Sequence, residues 1–123
     1  MKYTAEEVEK IASIIIQIDD YLNEQRKNLR KTFRLSIPND DGYKIELVIP
    51  SYSERYDTEN LLVIGCASYY FGLKGQDDWL HSLQKRPENA AYIINWWKEI
   101  KIRLKYEIAK QQEEIKKINN FEL

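Results

Sequence analysis

The sequence predicts an α+β domain built as a long N-terminal helix, a three-stranded antiparallel meander, a short helix and a long C-terminal helix. Three observations carry this prediction. Apolar residues recur at steps of three and four near both ends of the chain, they alternate singly in its middle, and turn residues separate the two patterns. No internal repeat, low-complexity tract or Gly/Ser/Pro linker intervenes, so residues 1–123 read as a single domain.

The first helix opens at Thr4, with Glu7 three residues later, a capping box in which each side chain satisfies the other residue's backbone N–H. Val8, Ile11, Ile15, Ile18, Leu22 and Leu29 form one apolar stripe, with Gln25 in the remaining slot, and the helix is expected to run to about Lys31. Ile14 and Ile16 widen the stripe, which implies cover on more than one side.

The period then changes to two. Phe33, Leu35 and Ile37 alternate with Arg34 and Ser36, and Tyr43, Ile45, Leu47 and Ile49 alternate with Lys44, Glu46 and Val48, the pattern of two half-buried strands. Pro38-Asn39-Asp40-Asp41-Gly42 between them is a hairpin turn, in which Gly42 supplies a positive φ. Pro50 ends the second strand because it has no N–H for a ladder. After the polar loop Ser51 to Asn60, the apolar run Leu61 to Ala67, extended by Ser68 to Phe71, reads as a third strand buried on both faces. Gly72 and Gly75 bracket a turn, and Asp77 or Asp78 caps a short helix bearing Trp79, Leu80 and Leu83 that stops before Pro87.

The final helix, Pro87 to about Asn120, is the organising element. It has proline only at its first position, where a missing N–H costs nothing, and it contains no glycine. Ile93, Trp97, Ile100, Leu104, Ile108, Ile115 and Ile118 share one face, with Gln111 as its single polar member. Such a helix is about 50 Å long, against a radius of gyration of roughly 14 Å for a compact domain of this size. Antiparallel pairing with the first helix would cover much of the stripe, and the part beyond about residue 109 is expected to project.

Composition narrows the function. Lys and Arg number 19 and Asp and Glu 20, a formal charge of −1, so no global field draws the chain to nucleic acid or to an anionic membrane. No segment approaches the ~20 apolar residues that span a bilayer, and the acidic N-terminus does not resemble a signal peptide. With a single cysteine, Cys66, a soluble cytoplasmic protein is expected. One His and one Cys cannot assemble a zinc site, and no cofactor motif is present. His81 shares a helical face with Asp77 and Asp78, a base with an orienting acid, but no nucleophile accompanies it and a local ion pair explains it. Cys66 sits among Ile64, Gly65 and Ala67, a setting for a small core residue rather than an activated thiolate. A non-enzymatic protein is expected.

The leading expectation is a protein–protein interaction module that forms a homodimer or docks on a partner protein through its long helices. Ile115, Ile118 and Phe121, with Leu123, stand in a strongly polar setting and look like a thin seam for another helix, while Tyr52, Arg55 and Tyr56 in the loop are residue types common at interface hot spots. A second expectation is nucleic-acid association through two basic groups. Arg26, Lys27, Arg30, Lys31 and Arg34 fall together with no acid among them, and Lys98, Lys101 and Lys105 share one face of the final helix with aromatic neighbours. The helix dipole explains part of the first group, and a solvated face explains the second. A third expectation, a small phage- or plasmid-encoded inhibitor or adaptor of a larger enzyme, rests on analogy with compact proteins that lack a catalytic kit.

Overall fold

The computed structural model describes residues 3–40, 42, 44–51, 62–63, 66–70 and 86–123. In chain order these form helix α1 (Ala5–Gln25), a 3₁₀ turn (Arg26–Asn28), strands β1 (Phe33–Ile37), β2 (Lys44–Ile49), β3 (Leu62–Val63) and β4 (Cys66–Tyr70), and helices α2 (Pro87–Asn95) and α3 (Trp97–Asn119). The fold is mixed helix and strand, with a long helix at each end and an antiparallel β1–β2 pair between them.

The capping box forms as the sequence predicts. The Glu7 N–H donates to Thr4 Oγ1 at 3.1 Å and the Thr4 N–H to Glu7 Oε1 at 3.0 Å. The Thr4 backbone N–H and then its side chain hold the Glu7 carboxyl below its ordinary range. α1 ends at Gln25 rather than near Lys31, and the residues after it say why. Arg26 donates from Nε to the Pro50 carbonyl (2.7 Å) and from Nη2 to the Ser51 carbonyl (3.3 Å), so the turn is tied to the end of β2. Leu29 then adopts an extended conformation and carries the chain into β1 with its side chain buried. The stripe persists past the helix because Leu29, just after the turn, is itself buried. Cover in the middle of α1 is one-sided: Ile14 packs against the core, whereas Ile16 is exposed.

β1 and β2 pair antiparallel with Leu35 opposite Leu47 and Ile37 opposite Ile45. Gly42 in the turn has φ +73°, and nothing lies within 4 Å of where a Cβ would be, so conformation rather than space favours glycine there. The expected three-stranded antiparallel meander does not form. β4 pairs parallel to β2, with Leu47 opposite Tyr69, and β3 pairs antiparallel to β4, giving the sheet order β1-β2-β4-β3. An apolar run carries no information about strand direction, and whether a neighbour pairs parallel or antiparallel is set by the connection rather than by the run. β2 is thus a central strand, and Val48, on the face opposite Leu47, is buried as well. The expected short helix with Trp79, Leu80 and Leu83, and with it His81, lies outside the described residues.

The expected single C-terminal helix is two. Trp96 leaves the helical region (φ −100°, ψ 6°) although no glycine or proline is present. The ladder nevertheless spans the break, with Trp96 N–H to the Tyr92 carbonyl (3.2 Å) and Ile100 N–H to the Trp96 carbonyl (3.0 Å). Adjacent residues of a straight helix diverge by about 100°, yet Trp96 and Trp97 both pack against the core, and the irregularity accommodates both rings.

The core lies between one face of the sheet and the three helices. Leu35, Ile37, Ile45, Leu47, Ile49 and Tyr69 meet Ile15, Ile18 and Leu22 of α1, Ala90 and Ile93 of α2, and Ile100 and Leu104 of α3. The helices do not pair antiparallel. Tyr3, Glu7 and Ile14 lie beside Ala91 and Ile94, Tyr21 meets Trp97, and Gln25 lies beside Leu104 and Ile108, so α1 and the α2–α3 pair run in the same direction. An apolar stripe reads alike in either direction, which is why the sequence did not distinguish them.

Candidate interaction surface

The position of α3 against the domain is set by Gln111. It stands on the core-facing stripe yet is polar, and it is 2 % exposed. Its Oε1 accepts the backbone N–H groups of Arg30 (2.7 Å) and Lys31 (3.1 Å), while Nε2 donates to the Lys31 carbonyl (3.3 Å) and to Glu107 Oε1 (3.2 Å). A side-chain amide is suited to this task because it accepts and donates at once, satisfying the backbone where α1 has stopped. One turn on, Glu114 pairs with Lys31 at 3.3 Å. The helix is therefore held to the domain past residue 109, at Gln111 and Glu114.

Beyond that point the stripe loses its cover. Ile115 is half-buried, Ile118 is 74 % exposed and Phe121 is 71 % exposed. Ile115 and Ile118 thus follow one another on the face of α3 past its last contact with the domain, and Phe121 stands just beyond the helix end. The other three, Tyr52, Arg55 and Tyr56, lie outside the described residues.

The first basic group is largely engaged. Arg26 holds the end of β2, Lys27 pairs with Glu24 (3.0 Å), Lys31 with Glu114 and Arg34 with Glu46 (2.6 Å), and Arg30 gives its backbone N–H to Gln111. Exposed pairs of this kind contribute only ~0–1 kcal/mol each, but every one places a carboxylate where a phosphate would have to sit. The cluster seen in the sequence had no acids because the acids come from α1, β2 and α3. In the second group Lys98, Lys101 and Lys105 are exposed. Lys101 Nζ stands 5.7 Å from the Trp97 ring centroid, Arg103 stands 4.9 Å from that of Trp96, and Arg103 Nε also bonds Glu99 Oε1 at 3.0 Å.

Among the described residues two grooves border α1. One, of about 280 Å³, separates its N-terminal half from α2 beside Ile11, Ile14 and Ile94. The other, of about 480 Å³, runs between α1 and α3 over Leu104 and Ile108, with Tyr21, Gln25, Lys101, Ile102 and Lys105 around it. A second buried polar contact, Asn89 Nδ2 to the Tyr69 hydroxyl at 2.8 Å, fixes the first turn of α2 on β4. Neither polar contact is anticipated by the sequence reading, although a lone glutamine on an apolar stripe is a visible sign of the first.

Among the described residues no group of three or more His, Cys, Asp or Glu side chains is placed to hold a metal ion, and no helix is long and apolar enough to cross a membrane. No protein-family model matches this chain, and no curated protein or solved structure matches it significantly, so geometry alone carries the functional reading.

Proposed function

We propose that the protein is a non-enzymatic interaction module that docks on a second protein chain, a partner or another copy of itself, through the end of α3. The reading further places it in the cytoplasm, where a lone cysteine stays reduced. The carrying observation is that the face of α3 holding Ile100, Leu104 and Gln111 in the domain continues into Ile118, with Phe121 two residues past the helix end, and that nothing covers either side chain among the described residues. An amphipathic helix whose apolar face outlasts its domain loses stability to water along that stretch unless another chain covers it.

Magnitudes limit the contact. Full burial of Ile118 and Phe121 yields about 1.5–3 kcal/mol each, against at least about 4 kcal/mol for lost translational and rotational freedom. The tail alone makes a weak contact, so a stable complex covers additional surface. The nucleic-acid reading ranks lower because carboxylates already face most of the first basic group.

Sedimentation of the full chain at high micromolar concentration, together with affinity recovery of partners, tests this. The expected result is a mass above the monomer or a recovered protein, lost in the variant carrying Ile118→Asp and Phe121→Asp, whose helix content and stability stay unchanged because both sites are exposed. A strict monomer from which no partner is recovered overturns the proposal.

A further inference from the structure

The groove between α1 and α3 has a composition that selects its occupant. Its floor is aliphatic, with buried Leu104 and half-buried Ile108, and Ile102 on its margin is 56 % exposed. Its charged residues are both cations, Lys101 and Lys105, with Tyr21 and Gln25 as the neutral polar members. Among the described residues neither lysine is paired with a carboxylate. The two lie one helical turn apart, about 5–6 Å between Cβ atoms. Lys101 is also held in place. Its ammonium rests over Trp97 at 5.7 Å, and Trp97 packs in turn against Tyr21 in a T-shaped contact, at 5.3 Å and 86° between the rings. A cation held beside an apolar floor has lost part of the freedom that binding would otherwise cost.

We infer that this groove binds an acidic amphipathic peptide segment of a partner protein. The segment presents two carboxylates one helical turn apart to Lys101 and Lys105 and sets aliphatic or aromatic side chains on Leu104, Ile108 and Ile102. Helices that lay an apolar face in a groove, with charges at its rim fixing orientation, bind in this way. Single-stranded nucleic acid fits less well. It needs open aromatic faces for its bases, whereas the groove floor is aliphatic, Lys101 lies over the Trp97 ring, and Tyr21 stands edge-to-face with the same indole.

This inference rests on the interaction-module reading and supplies the additional surface that the tail of α3 lacks. A random 16-residue peptide library panned on the folded protein, and in parallel on a Lys101→Glu/Lys105→Glu variant, tests it. Both lysines are exposed, and retained far-UV circular dichroism verifies folding of the variant. Peptides enriched on the native protein are expected to carry Asp or Glu at four-residue spacing beside Leu, Ile or Phe. Their affinity should fall about tenfold or more on the double variant, which should enrich basic peptides instead. Amide shifts on titrating a selected peptide should centre on Tyr21, Gln25 and residues 101–108.

Enrichment without acidic bias, or affinity indifferent to the charge reversal, overturns the inference. Shifts confined to Ile115 and beyond overturn it too, while leaving the module reading intact. A dimer that dissociates on Lys105→Glu makes the groove a contact between copies and likewise overturns the peptide assignment. No enriched peptide at all, with a strict monomer and no recovered partner, overturns both.

Discussion

Truncating Leu47 to alanine lowers the stability of the domain by about 3–4 kcal/mol, which displaces its thermal midpoint by on the order of 10–20 °C. Leu47 is fully buried on the central strand, with Leu35 opposite it in β1 and Tyr69 opposite it in β4, and the helices close over the same face. Removing three carbons there forfeits their transfer out of water and leaves a cavity that strands on both sides prevent from collapsing. Denaturant titration with an unchanged slope is the measurement, and Ile102→Ala is the matched control. Ile102 is more than half exposed, so the same truncation should change stability by less than about 0.5 kcal/mol. Equal losses at the two sites would place the core elsewhere.

Replacing Gln111 by leucine costs about 2–3 kcal/mol despite adding apolar bulk at a buried position. The N–H groups of Arg30 and Lys31 lose their acceptor and the Lys31 carbonyl loses a donor, just where the chain turns from the 3₁₀ segment into β1. A buried donor left unpaired costs more than a hydrogen bond gains. Gln111→Glu separates the hydrogen-bond argument from packing. A carboxylate keeps the accepting oxygen but cannot donate to Lys31, and it stands against Glu107 with almost no solvent. Burial and the like charge of Glu107 raise the pKa of the introduced carboxyl, while the N–H groups of Arg30 and Lys31 lower it; with burial and like charge the larger effects, the destabilisation is full at neutral pH and eases as pH falls through the raised value, where the proton restores a donor. The two variants, compared by urea unfolding at pH 5 and pH 7.5, should diverge in pH dependence; identical profiles would show that Gln111 acts by shape alone.

How much of this was legible in the sequence depends on what each pattern encodes. The Thr4–Glu7 box, the β1–β2 hairpin and the Gly42 turn are local, set by residues within a few positions of one another, and they form as read. Direction is not local. The parallel pairing of β2 with β4 and the parallel course of α1 and the α2–α3 pair depend on crossovers that an apolar stripe does not describe. The early end of α1 was hidden because Leu29 keeps the helical spacing while burying itself from a turn. The basic run Arg26 to Arg34 looked unopposed because Glu24 lies just before it and Glu46 and Glu114 come from other elements. The exposed seam of Ile118 and Phe121 was readable, since it needs only a helix longer than its domain. Gln111 was visible as an exception on the stripe, but its meaning required knowing which backbone it faces.

Along its length α3 changes from a helix locked into the domain at Gln111 to one whose apolar face lies open beyond Ile115, the stretch proposed to dock on another chain. Residue-by-residue amide hydrogen exchange along α3 in the monomeric protein tests this most directly. Amides from Ile100 to Gln111 are expected to exchange only with global unfolding, protection to fall across Glu114 and Ile115, and residues 116–119 to exchange by local fraying. Protection that continues undiminished to Asn119 in a monomer would mean the end of the helix is already covered, and protection lost from Lys110 onward would mean that Gln111 holds nothing; either result contradicts the account.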